Sequence, residues 1–289
     1  MVRRLCCVAS PRILPRRART NVNVSDEHPL RNLVAILGGM LALAVLCYWI
    51  LGFAVDIVAP HIPLSTERRI SDLLLDASPK LKDSMKPAPR LQHIAEMLHE
   101  DGVDMPVEVY RSSAPIVNAF ALPGGRIVIC KGLLDSVRSE NELAFIIAHE
   151  MGHIAHRDAI RKLGRALVFM AISASFGGVE NDLNTTIAGM LNVTELGYSR
   201  TQETAADEYG VDAMLRAYGH SGGITDFFER LAENNETVGW FDGLTSTHPE
   251  LQDRIKHLRE YARSHGGTEG PLLPVPPELG DAAHSLPAI

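Results

Sequence analysis

The chain has 289 residues, 46% of them hydrophobic, and a net charge of −7, which is length enough for one sizeable domain with accessory segments. The charge is uneven: residues 1–32 hold seven arginines against Asp26 and Glu27, a surplus of +5, so residues 33–289 carry −12. An acidic body argues against nucleic acid as a partner, and four cysteines (Cys6, Cys7, Cys47, Cys130) at these spacings make neither a disulfide framework nor a zinc-finger pattern.

Residues 1–32 form a basic leader. They are followed by "LVAILGGMLALAVLCYWILGFAV", Leu33 to Val55, 23 residues without a charge. At 1.5 Å per residue that run covers roughly 34 Å, enough to cross a hydrocarbon core of about 30 Å. It reads as one transmembrane helix, with residues 33–58 as a lipid-embedded anchor. A cleaved signal peptide fits less well, because its apolar core would be shorter and end in a small-x-small site. The arginines precede the span and no positive excess follows it, so the leader faces the cytoplasm and the body faces the periplasm. The start, "MVRRLCCVASPRILPRRART", is also rich in arginine and free of acids, as mitochondrial presequences are, and the mitochondrial inner membrane is the alternative compartment. Gly38 and Ala42 have a small-xxx-small spacing, which in an apolar helix is more often incidental than a pairing face; an oligomer is left open.

Past Pro60 and Pro63, Ser65 offers an N-cap for a helix through about Asp76. "PRLQHIAEMLHED" is a second amphipathic helix, apolar at Leu91, Ile94 and Leu98. "MPVEVYRS" and "PIVNAFALPGGRIVIC" are β-like, and in the latter two apolar runs flank Pro123, Gly124 and Gly125 as in a hairpin. Cys130, at the end of this section, reads as a small buried hydrophobe. Helical patterns then run over residues 139 to about 163, 165–176, 199–218, 222–233 and 249–264. "ALVFMAISASFGG" is too short to span a membrane; a buried core helix is the first reading, and a helix lying on the membrane or over a cleft the second. Residues 266–289, with five prolines, read as a disordered or surface-draped tail.

The helix from Ser139, which Glu142 marks as a capping-box start, contains "AFIIAHEMGHIAHRD". His149 and His153 lie about 40° apart around a helix and about 6 Å apart along it, so both imidazoles can reach one ion. With Glu150 the pattern is H-E-x-x-H: two neutral imidazoles for Zn²⁺, and a carboxylate one residue round the helix that meets an activated water and takes its proton. A catalytic zinc needs a third protein ligand. His156 is about 10.5 Å along the helix from His149 and too far to share the ion. It also stands where proteases with a third histidine ligand need glycine, and Ala159 stands where they need that histidine. "GYSRTQETAADEYGVDAM" offers Glu203 and Asp207, four apart on one helical face. Glu203 suits the metal, and Asp207 suits the ring N–H of a ligand histidine.

The set "HEMGHIAHRD", "SRTQETAADEYG", "NAFALPGGRIVI" and "STHPELQDRI" resembles the gluzincin metallopeptidase family that includes the heat-shock protease HtpX, the CAAX prenyl endopeptidase and the mitochondrial Oma proteases. The resemblance covers about residues 65–262. It implies an α+β, mainly helical, zincin-like domain over residues 65–265, with a small sheet or hairpin beside the active-site helix. It also implies one zinc on His149, His153 and Glu203, Glu150 as catalytic base, and Asp207 behind a ligand histidine. Asn118, Ala119, Phe120, Ala121, Leu122, Pro123, Gly124 and Gly125 would form a substrate-binding edge strand, suited to pairing with an extended chain. The chain departs from the multi-span members in showing a single span, so cleavage of prenylated peptides is not implied. His248 is a candidate oxyanion donor or a fourth zinc ligand; Arg254 is the other oxyanion candidate or a partner for a carboxylate. Tyr198 and Tyr209 are weaker candidates. The expectation is a membrane-anchored zinc endopeptidase acting on unfolded or membrane-associated proteins, with a chaperone-like binding factor as the alternative.

Overall fold

A computed structural model describes residues 29–99, 106–175, 197–233, 248 and 251–279. The chain divides into two compact units, 1–46 and 47–289. Helix α1 (Pro29–Val58) runs 30 residues without a break and leaves its leucines, valines and isoleucines on the outside. It is long and apolar enough to cross a membrane. A 3₁₀ turn (Ala59–His61) leads to α2 (Leu64–Ala77). The N-cap of α2 is Pro63, not Ser65, which falls inside the first turn. The earlier start places Glu67 one turn in, where it is 4% exposed and accepts the Gly124 N–H at 2.9 Å.

After α3 (Pro79–Ser84) comes a sheet in the order β1-β2-β4-β3: β1 (Met85–Pro87), β2 (Glu108–Ser112), β3 (Ala119–Leu122) and β4 (Arg126–Cys130). β1 pairs antiparallel with β2, β2 parallel with β4, and β3 with β4 as the expected hairpin. β1 was not legible: three residues including a proline carry no periodicity. β3 ends the sheet. The hairpin turn needs Gly124 (φ 85°), where a Cβ would also lie 2.8 Å from the Arg68 backbone nitrogen. α4 (Pro89–Leu98) buries Leu91, Ile94, Ala95 and Leu98, the i, i+3, i+4, i+7 stripe of an amphipathic helix. Cys130 is buried among apolar groups, and that burial pushes its thiol up to about 12.

The core forms around α6 (Glu140–Ala155), which follows α5 (Lys131–Ser136). Ser139 caps α6 by accepting the Glu142 N–H at 3.2 Å. Every α6 residue from Glu140 to Ile154 is buried. The helix does not continue to residue 163: Arg157 turns left-handed (φ 57°), and its guanidinium reaches the Ile62 carbonyl and Glu67. α7 (Asp158–Ser175) then starts in a new direction. The expectation of a buried core helix here is overturned, since only Asp158 and Ile160 of α7 are buried and Phe169 is 62% exposed.

α8 (Arg200–Tyr218) opens with a full capping box, Ser199 with Gln202, and ends at Gly219 in the left-handed region (φ 73°). α9 (Asp226–Glu233) and α10 (Leu251–Ser264) complete the helical side. The tail is draped rather than loose as far as Leu279. Leu273 accepts the Glu140 N–H (2.9 Å) and donates to Asn141 (2.8 Å), and Leu279 is 5% exposed. α6 and α8 touch almost backbone to backbone: a Cβ on Gly152 would lie 2.8 Å from Ala206 Cα, and one on Gly210 would lie 2.9 Å from Phe145 Cε2. Gly152→Val forces the two helices apart and should cost about 1–3 kcal/mol, read as a lower denaturant midpoint in chemical unfolding.

Candidate metal centre

The close approach of α6 and α8 brings together His149, His153, Glu203 and His248, all buried, with one donor atom from each lying within 4.8 Å of the others. The two helices supply three of them; His248 stands three residues before α10. His149 Nδ1 lies 3.0 Å from Asp207 Oδ1, and His153 Nδ1 lies 2.9 Å from Asp158 Oδ2. A carboxylate only accepts, so each imidazole donates through Nδ1, and the neutral ring presents its lone pair at Nε2. Those two Nε2 atoms face each other at 3.1 Å, with Glu203 Oε2 3.5 Å from the first and Oε1 3.6 Å from the second. Two lone pairs and a carboxylate converging on one buried point repel unless a cation sits among them. The donor set of two imidazole nitrogens and one carboxylate oxygen fits zinc.

The surroundings are strongly charged. Burial raises the Glu150 carboxyl. Against the same penalty, the charges of His248 and Arg254 hold Glu203 far below the usual carboxylate range, and Arg254 holds Asp207 down at about 2. Burial works against a charge on His153 too, but hydrogen bonds to Asp158 and Glu203 push it up to about 9. At His153 the surrounding carboxylates therefore outweigh burial. Burial lowers His149 and His248.

Each residue named from sequence has a place here. Glu150 follows His149 on α6 with its carboxylate 1% exposed; its Oε2 has no hydrogen-bond partner among the described residues, and the Ala121 backbone in β3 favours its charged form against the burial. His248 turns Nδ1 toward Glu203 (2.9 and 3.1 Å) and Nε2 toward Glu150 Oε1 (3.5 Å). Arg254 faces the carboxylates: Nε and Nη2 donate to Asp207 at 2.9 and 2.6 Å, and Nη1 is 2.8 Å from Glu203 Oε2. Arg254 thus pairs with two carboxylates, the second of the two roles open to it, while Nη1 makes no hydrogen bond among the described residues.

The 118–125 segment splits. Ala119 to Leu122 form β3, which packs on α6, whereas the Gly124 peptide is already used within the fold, its N–H on Glu67 and its carbonyl on Arg68. Tyr198 stacks on His153 (ring centroids 3.8 Å apart) and carries Lys162 Nζ 4.1 Å over its other side; Tyr209 packs against the core instead. Burial lowers Lys162 to about 8. His156 is exposed and off the site.

Asp158 escaped the sequence reading. On an unbroken helix it would point about 140° away from His153; only the break at Arg157 swings it back, and Gln202 of α8 holds its other oxygen at 2.8 Å. Such a partner fixes the ring and raises its basicity, so Asp158→Asn should weaken zinc binding about 10–100-fold. Competition with a chromogenic chelator measures this directly.

Comparison with known proteins agrees with the geometry. Residues 86–262 match peptidase family M48. Metalloprotease LoiP of Escherichia coli is 34% identical over 185 residues, covering 62% of this chain and 72% of that protein. Mitochondrial metalloendopeptidase OMA1 of Schizosaccharomyces pombe is 27% identical over 227 residues (70% and 66%). Beta-barrel assembly-enhancing protease of Yersinia pestis is 26% identical over 178 residues (56% and 36%), so the chain spans about a third of that relative's length. The match takes in His149, His153, Glu203 and His248, and the chain belongs to peptidase family M48, the zinc metallopeptidases.

Proposed function

We propose that the chain is a membrane-anchored zinc-dependent endopeptidase that hydrolyses peptide bonds of misfolded or membrane-associated proteins. The observation that carries this reading is the position of Glu150: next to a metal donor on α6, buried, with one carboxylate oxygen unengaged and the backbone of β3 beside it. A zinc ion held by His149, His153 and Glu203 supplies Lewis acidity toward a water molecule and toward the scissile carbonyl. Glu150 takes the proton of the attacking water and delivers it to the leaving amine. β3, at the end of the sheet, pairs with an extended substrate through its main chain and sets the scissile bond across α6. His248 has two roles open to it, both set by its position: Nε2 as donor to the developing oxyanion, or Nδ1 as a fourth metal donor beside Glu203.

In this reading α1 crosses the membrane once. The seven arginines before its uncharged run keep the leader in the cytoplasm and the peptidase domain in the periplasm, with the mitochondrial inner membrane as the other setting. The sheet edge at β3 also suits a binding factor that holds unfolded chains without cutting them. Glu150→Gln separates the two readings. The variant should keep its zinc and its fold but lose cleavage of casein about 10²–10⁴-fold, and chelation of the wild-type protein should abolish cleavage until zinc is restored. Cleavage by Glu150→Gln at the wild-type rate would refute the mechanism; an unchanged biological effect without cleavage would favour the binding factor.

A further inference from the structure

We propose that the C-terminal half of α7, residues 166–175, rests in the lipid interface beside the end of α1, so that the metal centre opens close to the bilayer. The proposal rests on the reading of α1 as a membrane span and goes beyond it by naming a second membrane contact and a substrate class.

Three observations carry it. The first is composition: "ALVFMAISAS" has no charged residue, while the preceding turns hold Arg161, Lys162 and Arg165. The second is exposure. None of residues 166–175 is buried, and Leu167 and Phe169 are 47% and 62% exposed. A core helix would bury these side chains, and a solvent-facing helix would carry charge along this half. Apolar side chains on the outside with a charged stretch at one margin are the pattern of a helix lying in a membrane interface.

The third observation identifies the occupant. α7 is fastened to the last turns of α1, which belong to the same compact unit: Arg165 pairs with Asp56, and Gly164 lies so close to Val55 that a Cβ there would be 2.6 Å from Cγ1. Val55 is the last residue of the apolar run and Asp56 the first charge after it, so this contact marks the bilayer boundary. The uncharged half of α7 begins one residue beyond it. Lipid at that boundary already faces α1, and it meets the exposed side chains of α7 without a further partner.

The consequence for substrates follows from the other end of α7. Its first residue, Asp158, holds His153, and Phe169 is only about 16 Å further along the helix. A polypeptide leaving or entering the membrane surface would reach the site more readily than one free in solution.

The test uses the full chain in lipid nanodiscs containing brominated phospholipid. Trp49 and Trp240 are replaced by phenylalanine, and either Phe169→Trp or Lys256→Trp is added, the latter on the outer face of α10 where the side chain is 77% exposed. A parallel sample keeps Trp49 of α1 as the only tryptophan. Quenching of the Phe169→Trp and Trp49 emission, with the Lys256→Trp emission unaffected, is the expected result. If Trp49 is quenched and Phe169→Trp is not, α7 faces water or protein, and the proposal falls while the span stands. If neither is quenched, the span falls as well. As a second readout, Leu167→Gln with Phe169→Gln should slow cleavage of a vesicle-tethered peptide several-fold and leave a soluble peptide unaffected; equal rates on both substrates would overturn the substrate assignment.

Discussion

Two helices that meet with almost no side-chain layer between them hold the rest of the structure in place. Helix pairs usually pack with axes 8–10 Å apart, the spacing being set by the side chains at the contact. Between α6 and α8 those side chains are glycine and alanine: Gly152 faces Ala206, and Gly210 faces the Phe145 ring. The short approach lets Glu203, on one helix, come within bonding range of an ion shared with two histidines on the other. Phe145 meets Phe228 edge to face at 5.9 Å, so the same contact is buttressed from α9. Larger side chains at these positions would leave the ligands intact and out of reach of one another.

Charge makes the centre part of the core and not an addition to it. Glu150, Asp158, Glu203 and Asp207 are each at most 2% exposed, and Arg254, at 6%, is the guanidinium set among them. Taking an unpaired ion out of water costs several kcal/mol. Arg254 relieves this for two of the carboxylates, and the upward push on His153 records the negative potential that remains. A divalent cation bound by neutral imidazoles would balance that potential and leave in place the Nδ1 hydrogen bonds to Asp158 and Asp207. The motif and its supporting carboxylates are therefore one electrostatic unit.

Local pattern made much of this legible. The 3.6-residue spacing of His149 and His153, the Glu203/Asp207 pair and the hairpin around Pro123 to Gly125 all depend on near neighbours in sequence, and they stand where spacing placed them. What was not legible depends on tertiary contact. The end of α6 is set by Arg157 reaching Glu67, 90 residues away, and nothing in "GHIAHRDAIRK" announces a left-handed residue. Asp158 became a partner of His153 only through that break. Arg254 meets Asp207, 47 residues away, only because α10 packs against α8. α7 misled for a different reason: an apolar stretch of a dozen residues looks the same whether it faces a core or a lipid surface.

Glu67 shows how the active helix and the sheet edge are held in register. One of its oxygens accepts the Gly124 N–H at the hairpin turn, and the other meets the Arg157 guanidinium at the end of α6. Arg157 in turn donates to the Ile62 carbonyl just before α2. A single buried carboxylate thus fixes three things at once: where the active helix stops, where β3 turns into β4, and where the segment leaving α1 joins the domain. Since the β3 backbone at Ala121 acts on the charge of Glu150, any drift of the hairpin relative to α6 would be felt at that carboxylate. Precision at the metal site comes from the α6 and α8 contact, whereas the register of the β3 hairpin against the end of α6 comes through Glu67.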